Sequence, residues 1–412
     1  MHVKRAITDL AASYLDTFRV VQISGPRQAG KSTLARTLAS DRARTEITFD
    51  DDEVQRRAAA DPYGFLLSLG TGPILIDEAQ RVPEIYLAIK RIVDLDSTRG
   101  RFLLTGSSDP LSNRRVRDSL AGRIGIVDLR PFSQGEMSGR DEQFVAQVFG
   151  AGEWGSSALD GAPAYLPRII RGGFPEAVAM PDAARGRWFA SYLESAFARD
   201  VRDVVSIADL GKLRRVFDLV ASHSGQILKS ASIARDAGLS ANTVRGWIDA
   251  LAQTRLVDVI PGWSGGRRGR LVSAPKAHVA DSGLLVGSLR VGADGLLGAP
   301  MLLGSAVETF AVQEVLRQLT RFDAGDAPQP YHYRDRDQRE VDLVLEHPDG
   351  RIVGIEVKAA STVRAGDAAG LRALREASGT RFHRGIVLYC GMLPFALDEQ
   401  IDAVPLEALW SA

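Results

Sequence analysis

Residues 20–33 read VVQISGPRQAGKST, an apolar strand that runs directly into Gly25, Gly30, Lys31 and Ser32 at the spacing Gly-x4-Gly-Lys-Ser. That junction constrains the fold more than any other stretch. A polyanion is bound by converging several backbone N–H groups on it, and glycine lets the chain turn that tightly without a side chain in the way. Lys31 is then expected to reach the β- and γ-phosphates of a nucleoside triphosphate and Ser32 to ligate Mg²⁺. The helix that begins near Thr33 adds the positive end of its dipole. The expected nucleotide contacts are therefore Gly25, Pro26, Arg27, Gln28, Ala29, Gly30, Lys31, Ser32 and Thr33, with ATP and Mg²⁺ as the cofactors.

The segment GPILIDEAQ places Asp77 and Glu78 at the carboxyl end of a second apolar strand, where open α/β sheets bind ligands. Asp77 is expected to hold Mg²⁺ through water and Glu78 to polarise the attacking water as general base. Without the glycine loop the two acids would read as a helix-capping pair. A third strand, GRFLLTGSS, ends in hydroxyls, and Thr105 or Ser107 is placed to sense the γ-phosphate. Small polar residues also end strands for turn reasons alone. Arg123 follows the helical stretch NRRVRDSLAGR and precedes the strand IGIVDL. It is either an arginine finger reaching a neighbouring subunit's nucleotide, which implies a homo-oligomer, or a salt-bridged arginine at a helix end. Arg114, Arg115 and Arg117 compete for the same role.

These segments resemble the prokaryotic AAA-type ATPases that carry a C-terminal domain of unknown function related to restriction endonucleases. The resemblance spans nearly the whole chain. It is carried by GPRQAGKST, LIDEAQ, LLTGSS, SLAGRIGIVDLRPFSQGE and RGGFPEAV, followed by Trp188 to Tyr192 and Phe197 to Val201. It implies phosphate and Mg²⁺ contacts at Lys31 and Ser32, metal and water carboxylates at Asp77 and Glu78, and the AAA-type arginine at Arg123. It also implies a lid turn near the nucleotide at Arg171-Gly172-Gly173-Phe174-Pro175, although Gly-Gly before proline is equally a helix stop.

Composition excludes several classes. Lys+Arg and Asp+Glu balance at 51 each, so global charge selects no partner, and no apolar run approaches a membrane span. The opening residues MHVKRAITDLAASYLDTF form an amphipathic pattern without a signal-peptide core, which points to the cytoplasm. A single cysteine, Cys390 in GIVLYC, excludes an internal disulfide and reads as a buried strand residue. The six histidines are too scattered for zinc.

Residues 136–165 turn Gly-, Ser- and Ala-rich and suggest a surface excursion, with helices from about 165 to 210. From 212 to 262 the pattern is helix, helix, turn, helix, strand. Apolar Ile233, Ala237 and Leu239, a turn at Gly238, Ser240 as N-cap and apolar Val244, Ile248 and Leu251 give a winged helix-turn-helix layout. Asn242, Thr243 and Arg245 would face outward on a recognition helix, and Gly265 to Arg270 would form a basic wing. Lids and protein contacts use the same layout, so DNA contact stays one of two readings.

In the last third, GSAVETFAVQEVLRQL is an amphipathic helix with Glu308 near its start, followed by the strands YHYRDR, REVDLVLE and RIVGIEVKAA. Asp342, then Glu356 and Lys358, form the D…E-x-K constellation of the restriction-endonuclease fold. Alternation puts Glu356 and Lys358 on one strand face, and the His347-Pro348-Asp349-Gly350 turn brings Asp342 beside them. Glu308, Asp342 and Glu356 would hold Mg²⁺ and Lys358 would orient or deprotonate the attacking water, making Asp342, Glu356 and Lys358 a second catalytic set. The bland reading is a cross-strand ion-pair cluster on a retired fold.

The expected fold is α/β throughout. Residues 1–135 form a P-loop AAA-type ATPase with a parallel sheet and helices on both faces, 136–210 a helical lid or linker, 211–275 a winged helix-turn-helix and 276–412 a restriction-endonuclease-like α/β domain. The expected function is ATP hydrolysis coupled to Mg²⁺-dependent DNA cleavage or processing. The alternative is a nucleotide-gated DNA-binding or protein-interaction switch with an inactive nuclease-like domain. A small-molecule kinase is disfavoured, because Glu78 is a water-activating residue and nothing resembles an acceptor lid.

Overall fold

The computed structural model describes residues 3–40, 44–107, 120–150, 152–205, 207, 209–265 and 274–411. The chain forms two compact units, Lys4–Pro131 with Gln253–Arg255, and Phe132–Ala252 with Leu256–Ala412.

The first unit is built on five parallel strands, β1 (Val20–Ser24), β2 (Thr45–Thr48), β3 (Ile74–Asp77), β4 (Phe102–Gly106) and β5 (Ile124–Asp128), in the order β2-β3-β4-β1-β5. All of β1 is buried, as a parallel strand covered on both faces must be. Its residues alternate between two cores. Val21 and Ile23 join Leu75, Leu103 and Val127 under the helices Thr8–Thr17 and Lys31–Ala39. Val20 joins Ile74, Ile76, Phe102 and Leu104 under the helix Ile85–Leu95. That helix buries Ile85, Ile89, Ile92 and Val93, the spacing of a single apolar stripe, and each such side chain stabilises the unit by roughly 1.5–3 kcal/mol. In register, Ser24 lies beside Gly106 and Asp128, so the carboxyl ends of β1, β4 and β5 share one edge.

The second unit starts with helices that pack around Phe174, Trp188, Phe189 and Tyr192, whose rings lie 4.8 to 6.2 Å apart. The helices Leu210–Ser222, Ser230–Ala237 and Ala241–Gln253 follow. Gly238 closes the second of them in the left-handed region, and the Ser240 hydroxyl accepts from Thr243 N at 3.1 Å to start the third. They bury Ile233, Ala237, Val244, Ile248 and Leu251, with Leu239 partly buried. A three-stranded antiparallel sheet joins them, β6 (Gln226–Ile227), β7 (Val257–Ile260) and β8 (Lys276–Val279), in the order β6-β8-β7.

A six-stranded mixed sheet completes the unit, formed by β9 (Gln329–Arg334), β10 (Glu340–Glu346), β11 (Ile352–Lys358), β12 (Phe382–Tyr389), β13 (Phe395–Asp398) and β14 (Ile401–Pro405). The order is β13-β14-β12-β11-β10-β9. β10 and β11 form an antiparallel hairpin closed by His347 to Arg351, with Leu343 opposite Ile355, and β11 runs parallel to β12. The helix Pro300–Leu319 buries Val307, Phe310 and Ala311 with Leu343, Leu345, Val353 and Ile355. The helix Ala369–Ser378 buries Leu371 and Leu374 with Val341, Val344 and Val387. Cys390 is buried just after β12, and burial pushes its thiol up to about 12.

The structure bears on three expectations. Residues 152–160 run as a mostly exposed irregular segment, as expected, but one that is tied down. Ser157 N donates to Met392 O at 2.7 Å, Gly161 N to Cys390 O at 2.6 Å and Ala158 N to the Glu407 carboxylate at 2.8 Å, which pins the segment to the end of the six-stranded sheet. Arg171 to Pro175 takes the close-packed helix-stop form, one of its two readings. Gly172 has φ +65° and a Cβ there would lie 2.1 Å from Asp281 Oδ1, while Gly173 N donates to Asp281 Oδ2 at 2.8 Å. The expected boundary at 275/276 falls at the start of β8, whose pairing with β6 and β7 makes Lys276 part of the three-stranded sheet. Among the described residues, no helix is long and apolar enough to cross a membrane.

Candidate functional site

The loop after β1 lies at the carboxyl edge of the parallel sheet. Gly25 is required by close approach, since a Cβ there would stand 2.0 Å from Leu129 O, and Gly30 starts the helix Lys31–Ala39 at φ +96°. Arg5 braces the loop, donating to Ala29 O at 2.9 Å and to Arg130 O at 2.6 Å. Lys31 is buried and its Nζ donates to Pro26 O at 3.1 Å. Pro26 and Ala29 are buried, while Gln28 and Thr33 are exposed.

Asp77, at the tip of β3, is tied to this loop. Ser32 Oγ donates to its two oxygens at 2.8 and 3.0 Å, and Thr105 Oγ1, from β4, donates to Oδ1. The same Thr105 oxygen accepts from Glu78 N at 3.0 Å, so one hydroxyl positions both acids. Glu78 sits in the left-handed region at φ 58° and ψ 44°, a conformation that costs a non-glycine residue roughly 1–3 kcal/mol and turns its side chain out of the strand direction. Gln80 Nε2 donates to the Glu78 carboxylate at 2.5 Å and to Ser107 Oγ at 3.3 Å. Gly106 makes room for it, because a Cβ there would lie 2.8 Å from Gln80 Oε1. Sequence reading missed Gln80, although a polar side chain two residues after the acid in LIDEAQ is a usable signal.

Arg123 is not brought to these groups. It precedes β5 at the amino edge of the sheet, a strand length of roughly 15 Å from the phosphate loop, and its Nε pairs with Asp94 Oδ1 at 2.6 Å. Arg114, Arg115 and Arg117 lie outside the described residues, as do residues 266–270 of the expected wing.

The D…E-x-K residues do come together, with an unexpected member among them. Asp342 Oδ2 accepts from Val357 N at 2.9 Å and Lys358 Nζ donates to Glu356 Oε1 at 2.8 Å. Lys276, buried at 1 % exposure, donates from Nζ to Asp342 Oδ1 at 2.9 Å and to Glu308 Oε1 at 3.1 Å, with Glu340 Oε2 at 3.9 Å. A lysine therefore stands between two of the three carboxylates expected to share Mg²⁺. Among the described residues no group of three or more His, Cys, Asp or Glu side chains is placed to hold a metal ion while Lys276 occupies this position. Burial works against the Lys276 charge, but the Asp342 and Glu308 carboxylates outweigh it and raise its pKa. Burial likewise opposes the Asp342 charge, and Lys276 lowers its pKa nonetheless. Burial and the Asp342 charge push Glu356 up to about 8 and raise Glu308 as well. His278, two residues along β8, is driven down to about 3 by burial and by Lys276, so it is a neutral imidazole at physiological pH. Sequence reading missed Lys276. The available signal was a lysine, with His278 two residues on, inside the otherwise small and apolar run APKAHVA.

Residues 17–138 match the family model described as AAA domain, which makes the first unit an AAA-type P-loop ATPase domain. Residues 163–295 and 303–409 match two domains of unknown function, DUF8612 and DUF4143. The chain is 30% identical over 395 residues to Uncharacterized protein Rv2008c of Mycobacterium tuberculosis and to Uncharacterized protein Mb2031c of Mycobacterium bovis. The match covers 95% of this chain and 80% of each relative, and the chain belongs to the family of these two proteins. Among solved structures, the Walker-type ATPase PABY2304 of Pyrococcus abyssi aligns with 69% of this chain and 94% of its own, at 15% identity and a TM-score of 0.42.

Proposed function

We propose that the first unit binds ATP with Mg²⁺ and hydrolyses it. The observation that carries this reading is that one carboxylate, Asp77, is hydrogen-bonded at once to the phosphate-loop hydroxyl of Ser32 and to Thr105, which also positions Glu78. Gly25 to Thr33 cradle the phosphates, and Lys31 exchanges Pro26 O for a phosphate oxygen. Ser32 and Asp77 are hard oxygen donors suited to Mg²⁺, which when bound neutralises phosphate charge. Glu78, aimed by Gln80, accepts a proton from the attacking water. Arg123 stands at the far edge from its own subunit's loop, paired with Asp94, so a finger role would fall on a neighbour's nucleotide. Steady-state ATP turnover tests the site. It should be lost in Lys31→Ala and in Glu78→Gln, and turnover unchanged in both would remove the proposal. Mixing Arg123→Ala with Lys31→Ala should restore partial turnover if the arginine works across subunits.

The second unit is read as a winged helix followed by a restriction-endonuclease-like module. Exposed Asn242 and Arg245 on the helix Ala241–Gln253 are offered to DNA, and Asp342, Glu356 and Lys358 lie on one hairpin. The Lys276 ammonium among the acids favours the nucleotide-gated switch over continuous cleavage. With Mg²⁺ or Mn²⁺, ATP and linear, circular, single-stranded or branched DNA, the switch predicts binding without cutting. Cleavage abolished by Lys358→Ala would establish the nuclease instead.

A further inference from the structure

Lys276 belongs to the three-stranded sheet, yet its side chain ends among acids from other elements, Asp342 on β10 and Glu308 on the helix Pro300–Leu319. Both acceptor oxygens lie within hydrogen-bond reach of one nitrogen, so a single cation in that place touches both. Beside them, Glu356 is 8 % exposed and its Oε2 has no hydrogen-bond partner among the described residues. Gly225 brings backbone up to the cluster, since a Cβ there would lie 2.8 Å from Glu308 Oε2. His278 holds Nε2 at 3.8 Å from Glu308 Oε1. A cleft of about 400 Å³, lined in part by Gly225, Ala277, Arg334 and Glu340, lies beside residues that neighbour Glu308 and Lys276.

A buried carboxylate left charged without a counter-charge is strongly destabilising, so Asp342, which keeps its charge, requires a cation beside it. An ammonium supplies three N–H donors, whereas a divalent ion takes the same oxygens as ligands and repels an ammonium beside it. We propose that Lys276 is the resident cation of the Glu308–Asp342–Glu356 cluster, and that withdrawing it converts the cluster into a divalent-cation site. This deepens the nuclease-like reading of the second unit and rests on it only for the choice of carboxylates. The lysine thereby holds the module in a metal-free state.

Mn²⁺ is the probe, titrated into the nucleotide-free full chain, with free ion read from its electron paramagnetic resonance signal. Wild type and Asp342→Asn should bind Mn²⁺ equally weakly. Lys276→Met should gain one site at least tenfold tighter, and Lys276→Met combined with Asp342→Asn should lose it. Two results overturn the proposal. One is wild-type binding that falls tenfold or more in Asp342→Asn, which needs no Lys276 variant to be folded. The other is a folded Lys276→Met protein that binds Mn²⁺ no better than wild type. The readout is independent of ATP turnover and DNA cleavage, so failure of either activity leaves this test standing.

Discussion

Asp77 and Asp342 are both buried aspartates on strands that flank a candidate site, at 8 % and 7 % exposure, and they differ in the partners that hold them. Asp77 is held by two hydroxyls, which can turn and serve a metal ion or phosphate as readily as a carboxylate. Asp342 is held by an ammonium and a backbone N–H, both donors only. A hydroxyl-held acid is poised to exchange partners with an arriving ligand, whereas an ammonium-held acid is already neutralised. The first arrangement suits turnover and the second suits a closed state.

The widest separation between the two sites should appear in turnover. Glu78→Gln should lower kcat for ATP by roughly 100-fold or more while leaving nucleotide binding in place, checked by steady-state hydrolysis alongside a fluorescent-nucleotide titration. Next comes stability. Lys276→Met should cost about 3 kcal/mol in denaturant unfolding, because two buried carboxylates lose their counter-charge, whereas Asp77→Asn should cost less than about 1 kcal/mol. Equal costs would erase the contrast between the two aspartates. Thr105→Val removes the hydroxyl shared by Asp77 and Glu78 and should destabilise by about 1–2 kcal/mol while slowing hydrolysis.

The smallest effect concerns how the second unit handles its other acids. Glu142 is buried, accepts from Gly135 N at 2.7 Å, and is pushed up to about 8 by burial and by the charge of Glu314. Its folded-state value lies above the ordinary 4.5, so the folded protein holds the proton more tightly. That stability is fully present below the ordinary value and is lost as pH rises through about 8. Glu142→Gln keeps the acceptor and removes the titration. It should therefore flatten stability against pH over this range and exceed the parent by about 1 kcal/mol at pH 9, measured by thermal and urea unfolding.

Much of each site was legible because it is local. The strand, loop and helix around Lys31 follow one another within a few residues, and a hairpin brings Asp342 to the strand of Glu356 and Lys358. Composition showed the exposed segment at 152–160 but not its anchors. Small residues there read as a surface loop, and backbone donors of this stretch are taken by Met392, Cys390 and Glu407, more than 200 positions away in the chain. Arg123 read either as a finger for a neighbouring subunit or as a salt-bridged arginine from its place after a helix, and only the tertiary structure shows its pair with Asp94 and its place at the far edge from its own loop.

The sequence by itself determined the phosphate loop, the acid pair that faces it and the hairpin acids, because glycine spacing and strand alternation act over short distances. Only the tertiary structure decided what neutralises those hairpin acids. Lys276 arrives from β8, whose pairing partners are β6 and β7, and meets Glu308 and Asp342 where separate elements pack together. A charge can be matched across a folded core by any residue the packing delivers, and no periodicity along the chain records that choice.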